Sequence, residues 1–293
     1  MSRWQRFTIV GAGLALLAFG VMGAGFSAFT LRVRRISDQL PPPAGASEAV
    51  ITVSDGATLN AWWFKPSDFA GRCVAVLHGI ESSRRSSAPF VPMFSAQGYA
   101  VLVPDSRAHG SSGGRFVTYG LLERQDVIAW VDWLRRQGCA QIYGLGESLG
   151  AAVLIQASAN TPAFRAIVAD AAFADLKETG QYRMARKLPL PAFLATPIAR
   201  LVVFSGMAYA RFVYGLDFSE VSPLHSIQKT NTPILLIHGL GDDRTPADNS
   251  VRLAAAAHSS CSLWLVPHAG HLKSLATAPE EFRERVLEWF ASH

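Results

Sequence analysis

The chain is short of charge, of cysteine and of clustered metal ligands, and each shortage closes off a class of function. Charged residues make up 17% of the 293 positions while 49% are apolar, which excludes a solvated disordered chain and predicts a sizeable folded core. The three cysteines, Cys73, Cys139 and Cys261, have no metal-ligand spacing. An odd count cannot pair fully within one chain, and each stands at the start of an apolar run, so they read as small buried hydrophobes. No dinucleotide glycine pattern or phosphate loop is present, because Gly144-Leu145-Gly146 lacks a later glycine at the required distance. The expectation is chemistry without a cofactor and without a metal.

The formal charge of +5 is also less than it looks. Arg3, Arg6, Arg32, Arg34 and Arg35 all precede the first acid, Asp38, and beyond them the basic residues equal the 22 acidic ones. A neutral body argues against nucleic acid as a partner.

From Phe7 to Leu31 no residue is charged. As a helix those 25 residues span roughly 37 Å at about 1.5 Å each, more than the ~30 Å hydrocarbon core of a bilayer. A cleaved leader is the competing reading, with Gly23, Ala24 and Ala28 as small residues for a cleavage site. The length and the arginines at 32, 34 and 35 favour a retained anchor over residues 1–36. Arginines flank both ends, so charge does not set the orientation. Gly20, Ala24 and Ala28 lie four apart, a spacing that lets membrane helices approach. A proline-led linker, 37–47, containing Pro41-Pro42-Pro43, then leads to a domain over 48–293.

That domain alternates short apolar runs with helical patterns, which predicts an α/β fold with a mostly parallel sheet and helices on both faces. Eight strands are expected: Ala49–Val53 and Thr58–Phe64, a hairpin around Asp55-Gly56, then Cys73–Leu77, Tyr99–Val103, Gln141–Leu145, Ala166–Ala169, Ile234–Ile237 and Ser262–Val266. Leu121, Leu122, Val127, Ile128, Val131 and Leu134 recur at helical spacing, and residues 280–290 repeat the pattern. About 171–230 breaks the alternation and reads as an inserted cap rich in aromatics. Its uncharged run, Leu201 to Ala210, is too short to cross a bilayer. Arg200 and Arg211 fall on nearly one helix face, which suits either solvent or lipid headgroups.

Gly146-Glu147-Ser148-Leu149-Gly150 follows a strand and precedes a small-residue helix, the context of a nucleophile elbow. A serine hydroxyl needs a base, and the base an oriented partner. His271 is the expected base, in Pro267-His268-Ala269-Gly270-His271, with His268 as the runner-up. Spacing favours Asp242 as the acid; Asp243 and the strand-end Asp170 are the other candidates. The order Ser, Asp, His is that of the α/β-hydrolases. Two backbone donors for an oxyanion are expected at Leu149 and Ile80. His78, His109 and His238 sit at strand ends or in loops and read as scaffold.

These motifs resemble the α/β-hydrolases, and more narrowly a membrane-anchored bacterial, BEM46-like group of serine hydrolases. The resemblance covers residues 50–293 and rests on His78-Gly79, Asp105-x-Arg107-x-His109-Gly110-x-Ser112-x-Gly114, Tyr119-Gly120, the elbow, Val221-Ser222-Pro223-Leu224, His238-Gly239-x-x-Asp242-x-x-x-Pro246 and Gly270-His271. It implies that the acid is Asp242, four residues after His238. It departs from the group's pattern at the polar Glu81-Ser82-Ser83-Arg84-Arg85. The expected function is a single-pass, membrane-anchored serine hydrolase, in a bacterial cell membrane, acting on an acyl ester, thioester or lipid. The alternatives are a peptidase using the same residues and a non-catalytic module that binds a hydrophobic ligand.

Overall fold

The computed structural model describes residues 3–36, 41–258 and 260–293. The first four positions of the expected linker, 37–40, and the first two of the expected anchor lie outside the described residues. The chain divides into two units, one formed by residues 1–32 with 177–220 and one by 33–176 with 221–293.

The larger unit holds the eight expected strands: β1 (Ser47–Thr52), β2 (Thr58–Phe64), β3 (Arg72–Leu77), β4 (Ala100–Pro104), β5 (Gln141–Glu147), β6 (Phe164–Asp170), β7 (Ile234–Gly239) and β8 (Cys261–Val266). They form one sheet in the order β1-β2-β4-β3-β5-β6-β7-β8, with β2 antiparallel to both of its neighbours, β1 and β4, and the remaining pairs parallel. Gly56 at φ +81° closes the β1–β2 hairpin, where Gly56 N–H donates to Val53 O at 2.9 Å; glycine takes that left-handed backbone without steric cost. β4 and β5 lie on opposite sides of β3, so the connections diverge there, and the carboxyl ends of β3 and β5 mark the switch point where such sheets usually bind ligands.

The helices follow from periodicity. In α2 (Glu123–Arg136) Val127, Trp130, Val131 and Leu134 are buried, a stripe at helical spacing against the sheet. α3 (Leu149–Ser158) is buried on every side, which its small and aliphatic residues permit. In the carboxyl-terminal helix, Pro279–Ala291, Phe282, Val286 and Phe290 recur four apart and are buried. Phe290 packs its ring 4.8 Å from Tyr143 and 5.7 Å from Phe94. Each such aromatic stabilises the fold by about 2–3 kcal/mol through removal from water.

Two of the three cysteines do not behave as isolated hydrophobes. Cys73 and Cys139 form a disulfide, their Cα atoms 5.8 Å apart and 66 residues apart in sequence. Parallel pairing of β3 with β5, Arg72 opposite Gln141, brings together two positions separated by strands, a helix and their loops. Cys261 is free, and burial pushes its thiol up to about 11.

The smaller unit is helical. α1 (Arg3–Leu31) buries Gly23, Ser27 and Leu31, and packs on the long helix of the inserted segment, α5 (Ala192–Tyr214), which follows α4 (Leu176–Lys187). The close-packed stripe is therefore Gly23 and Ser27 rather than Gly20, Ala24 and Ala28. A Cβ on Gly23 would stand 2.5 Å from Ser205 O, and one on Gly206 would run into the Phe26 ring. Ser27 Oγ donates to Gly206 O at 2.9 Å. The sequence run of ten uncharged residues in the cap proves part of this 23-residue helix, because Arg200 interrupts the apolar pattern without interrupting the helix. Both α1 and α5 are long and apolar enough to cross a bilayer.

Denatured without reductant, the protein is expected to show one reactive thiol, rising to three after reduction, by thiol counting. Removing the bridge by Cys73→Ser with Cys139→Ser is expected to cost about 4 kcal/mol in a denaturation titration, from the loop entropy it restrains.

Candidate active site

The carboxyl ends of the parallel strands fall in register along one edge: Leu77 beside Gly146, Glu147 beside Asp170, Asp170 beside Ile237 and Gly239 beside Val266. Every sequence-derived candidate issues from this edge.

Ser148 sits between β5 and α3 at φ 50° and ψ −105°. A non-glycine residue in that region carries about 1–3 kcal/mol of strain. Surrounding bonds hold it there, since Ser148 N–H donates to Asp170 O at 2.8 Å and Ala152 N–H donates to Ser148 O at 3.1 Å. The glycines on either side are steric requirements. A Cβ on Gly146 would stand 2.5 Å from Ala151 N, and one on Gly150 would strike the Leu77 carbonyl of β3.

His271 and Asp242 arrive on the loops after β8 and β7. Those loops are zipped together by Leu240 N–H to Val266 O at 3.0 Å and Gly241 N–H to Ala269 O at 2.8 Å, where a Cβ on Gly239 would strike the Ala269 carbonyl. The result is a relay: His271 Nδ1 lies 2.6 Å from Asp242 Oδ2, and His271 Nε2 lies 3.1 Å from Ser148 Oγ. The carboxylate fixes the tautomer, so Nδ1–H donates to Asp242 and Nε2 is left to accept the serine proton.

Asp242 is built to stay ionised. Burial opposes its charge, but hydrogen bonds from His238, from His271 and from the Thr245 backbone outweigh burial and hold the carboxyl well below the usual range. Its Oδ1 accepts the Arg244 and Thr245 amides at 2.9 and 2.8 Å. The His238 contact was not legible in the sequence, where that residue read only as scaffold. Its Nε2 lies 2.7 Å from Thr245 O and 3.3 Å from Asp242 Oδ2, and its Nδ1 lies 2.6 Å from Ser250 Oγ.

The rival candidates lie elsewhere. Asp243 is exposed, and His268 is exposed at a turn with φ 61°. Asp170 is buried beneath the elbow and accepts from Ser274 Oγ at 3.0 Å. His78 and His109 are scaffold in contact: His78 Nδ1 meets Gly79 O at 2.7 Å and its Nε2 accepts the Ser106 amide at 3.0 Å, while His109 Nε2 accepts the Glu81 amide at 3.2 Å. Burial, then the neighbouring His109, pushes His78 down to about 3, so it is neutral.

Beside the serine, Gly79 runs close enough that a Cβ there would sit 3.5 Å from Ser148 Cβ. Ile80 follows β3 at the same offset as Leu149 follows its partner, three residues beyond the Leu77–Gly146 pair. In the polar stretch after Ile80 both arginines are taken up by scaffold, and Arg85 stacks over Trp62. Arg84 is buried, bonds Glu48 at 2.7 Å, donates its amide to Asp105 Oδ1 at 2.7 Å and stacks over Trp62.

A serine on a strained strand-to-helix turn, at the carboxyl edge of a parallel sheet and facing a histidine and an aspartate from the last two loops, defines an α/β-hydrolase. The chain belongs to the alpha/beta hydrolase family, whose model matches residues 74–285. An uncharacterised protein of Mycobacterium tuberculosis is 30% identical over 233 residues, covering 78% of this chain and 73% of that protein. The esterase YjfP of Escherichia coli is 28% identical over 218 residues, covering 70% and 82%. Among solved structures, the Pyrococcus furiosus esterase Pf2001 superposes with a TM-score of 0.74 at 26% identity, covering 90% of this chain and 98% of that one.

Two carboxyls beside the elbow, the buried Asp170 and the half-buried Glu147, have shifted protonation that the sequence did not signal. Burial and the nearby Asp170 charge push Glu147 up to about 7 against a hydrogen bond from Ser87, and burial pushes Asp170 up to about 7 against the Ser274 bond. The fold favours both in the neutral form. Each therefore stabilises fully below its unfolded value, about 4.5 for Glu147 and about 3.8 for Asp170, and that contribution is lost as pH rises through about 7. Asp170→Asn, neutral at every pH, is expected to raise the thermal midpoint most at about pH 8 and by clearly less at about pH 5, in denaturation scans at both.

Proposed function

We propose that the protein is a membrane-anchored serine hydrolase that cleaves ester-type acyl bonds, in a carboxylester, thioester or lipid, through an acyl-enzyme. The observation that carries this reading is the continuous relay from Ser148 through His271 to Asp242, at 3.1 and 2.6 Å. In the first half-reaction Ser148 Oγ attacks the acyl carbon while His271 Nε2 takes the hydroxyl proton, and the imidazolium is balanced by Asp242. The tetrahedral oxyanion accepts hydrogen bonds from the Ile80 and Leu149 amides. Collapse expels the alcohol or thiol, which leaves with the proton from His271. Water then repeats the sequence on the acyl-serine and releases the acid.

Ester rather than peptide chemistry is supported by two of the relatives named above, both esterases. α1, apolar through residues 7–31 and largely exposed along its first half, supports a retained anchor. The Cys73–Cys139 bridge supports a hydrolase unit on the non-cytoplasmic side of that membrane, since reducing cytoplasm does not sustain such bonds.

Ser148→Ala is expected to abolish labelling by a fluorophosphonate probe and to lower hydrolysis of p-nitrophenyl esters by up to about 10⁶-fold, on precedent for serine triads. Retained turnover in the folded variant would refute the assignment. Asp242→Asn leaves a neutral amide opposite Nδ1 and is expected to lower kcat by about 10⁴-fold in the same assay, with Ser148 still present.

A further inference from the structure

Resting on α1 as a retained anchor, we infer that the cap helix α5 is itself immersed in the membrane: it lies in the leaflet beside the Arg32 end of α1, with its outer face among lipid acyl chains, and does not cross.

α5 is apolar on two opposite faces. Ala195, Ala199, Val203, Gly206 and Ala210 are buried and, at about 100° per residue, fall in one narrow sector. Leu194, Ile198, Leu201, Phe204 and Phe212 fall in the opposite sector and are 40–86% exposed. A helix facing water carries charged side chains there, and a continuous exposed apolar strip of this kind marks an interaction surface.

Three features of the unit identify the occupant as lipid. The strip is continuous with the anchor, because Phe204 meets Phe19 with ring centroids 6.0 Å apart while Phe7, Leu14 and Leu17 of α1 are more than 60% exposed. Ser27, which bonds Gly206, lies five residues before Arg32, about 8 Å along the helix, so the middle of α5 stands at hydrocarbon depth within that leaflet. The charges then complement anionic headgroups. Lys187 sits 4.9 Å over the Phe29 ring, near the Arg32 end, and Arg200 and Arg211 border one edge of the strip, Arg211 beside Asp217 at 3.1 Å, where long basic side chains can snorkel. The whole unit holds nine basic residues against three acidic ones, whereas the hydrolase unit holds eighteen against nineteen.

Crossing is excluded by connectivity. The insertion leaves the hydrolase unit after Leu176 and returns at Val221, so both of its ends belong to one side. The return path would fall to α4, which carries Lys177, Glu178, Arg183, Arg186 and Lys187 and cannot enter hydrocarbon.

The test uses the full-length protein in vesicles of phosphatidylcholine and phosphatidylglycerol, with a benzophenone amino acid replacing in turn Phe204, Phe212, Leu14 of α1 and Val251 of the hydrolase unit. After illumination, mass spectrometry is expected to find acyl-chain adducts at Phe204, Phe212 and Leu14 and none at Val251. Adducts at Leu14 with none at Phe204 or Phe212 would overturn the immersion of α5 while leaving the anchor intact. Adducts from Phe204 or Phe212 to another protein chain in place of lipid would overturn it as well, making the strip an interface between copies. Lack of lipid adducts at all three would refute the anchor reading and this inference together.

Discussion

Close approach of backbone to backbone at the elbow is the constraint on which the site rests. The β5 chain must turn into α3 directly against the end of β3, and it does so only because residues 146 and 150 have no side chain and residue 148 accepts a strained conformation. The Asp170 carbonyl ties the turn to β6, so the serine is positioned by three adjacent strands rather than by a free loop. The same device recurs on the facing side, where Gly239 lets the loops after β7 and β8 zip together and carry Asp242 to His271. Precision of a few tenths of an ångström at side-chain tips thus comes from contacts between main chains.

The sheet was legible because its strands are short apolar runs ended by glycine or polar residues, and those runs match β1 to β8 to within two residues at every end. The relay residues were legible because an elbow motif and the chain order of its partners are local signals. What escaped depends on contacts between distant segments. The disulfide joins positions separated by 66 residues, and nothing around Cys139 marks its partner. Residues 192–214 read as a broken pattern because Arg200 interrupts the apolar run, yet one flank of a helix accommodates a charge that a linear scan counts as a stop. The His238 bond to Asp242 and the raised pKa values of Glu147 and Asp170 are products of burial, which only the packed sheet edge creates.

Charge is segregated along with fold. The unit holding α1 and α5 carries the net positive charge of the molecule, and the hydrolase unit is close to neutral. The division is coherent: basic side chains accompany apolar helices, as suits an anionic membrane surface, while the parallel sheet keeps its charges in paired sets such as Arg107 with Asp126 and Asp55. The Arg84 bonds to Glu48 and Asp105 spend the charge of that residue, in the loop after Ile80, on scaffold.

The third cysteine bears on how such a chain matures. Thiol–disulfide exchange proceeds through the thiolate, and a thiol whose pKa stands near 11 is almost entirely protonated at neutral pH. Once β8 has joined the sheet, Cys261 is a poor attacker of the bridge between β3 and β5. In the packed sheet, then, an oxidant finds one pair to join and one sulfur withdrawn from the chemistry.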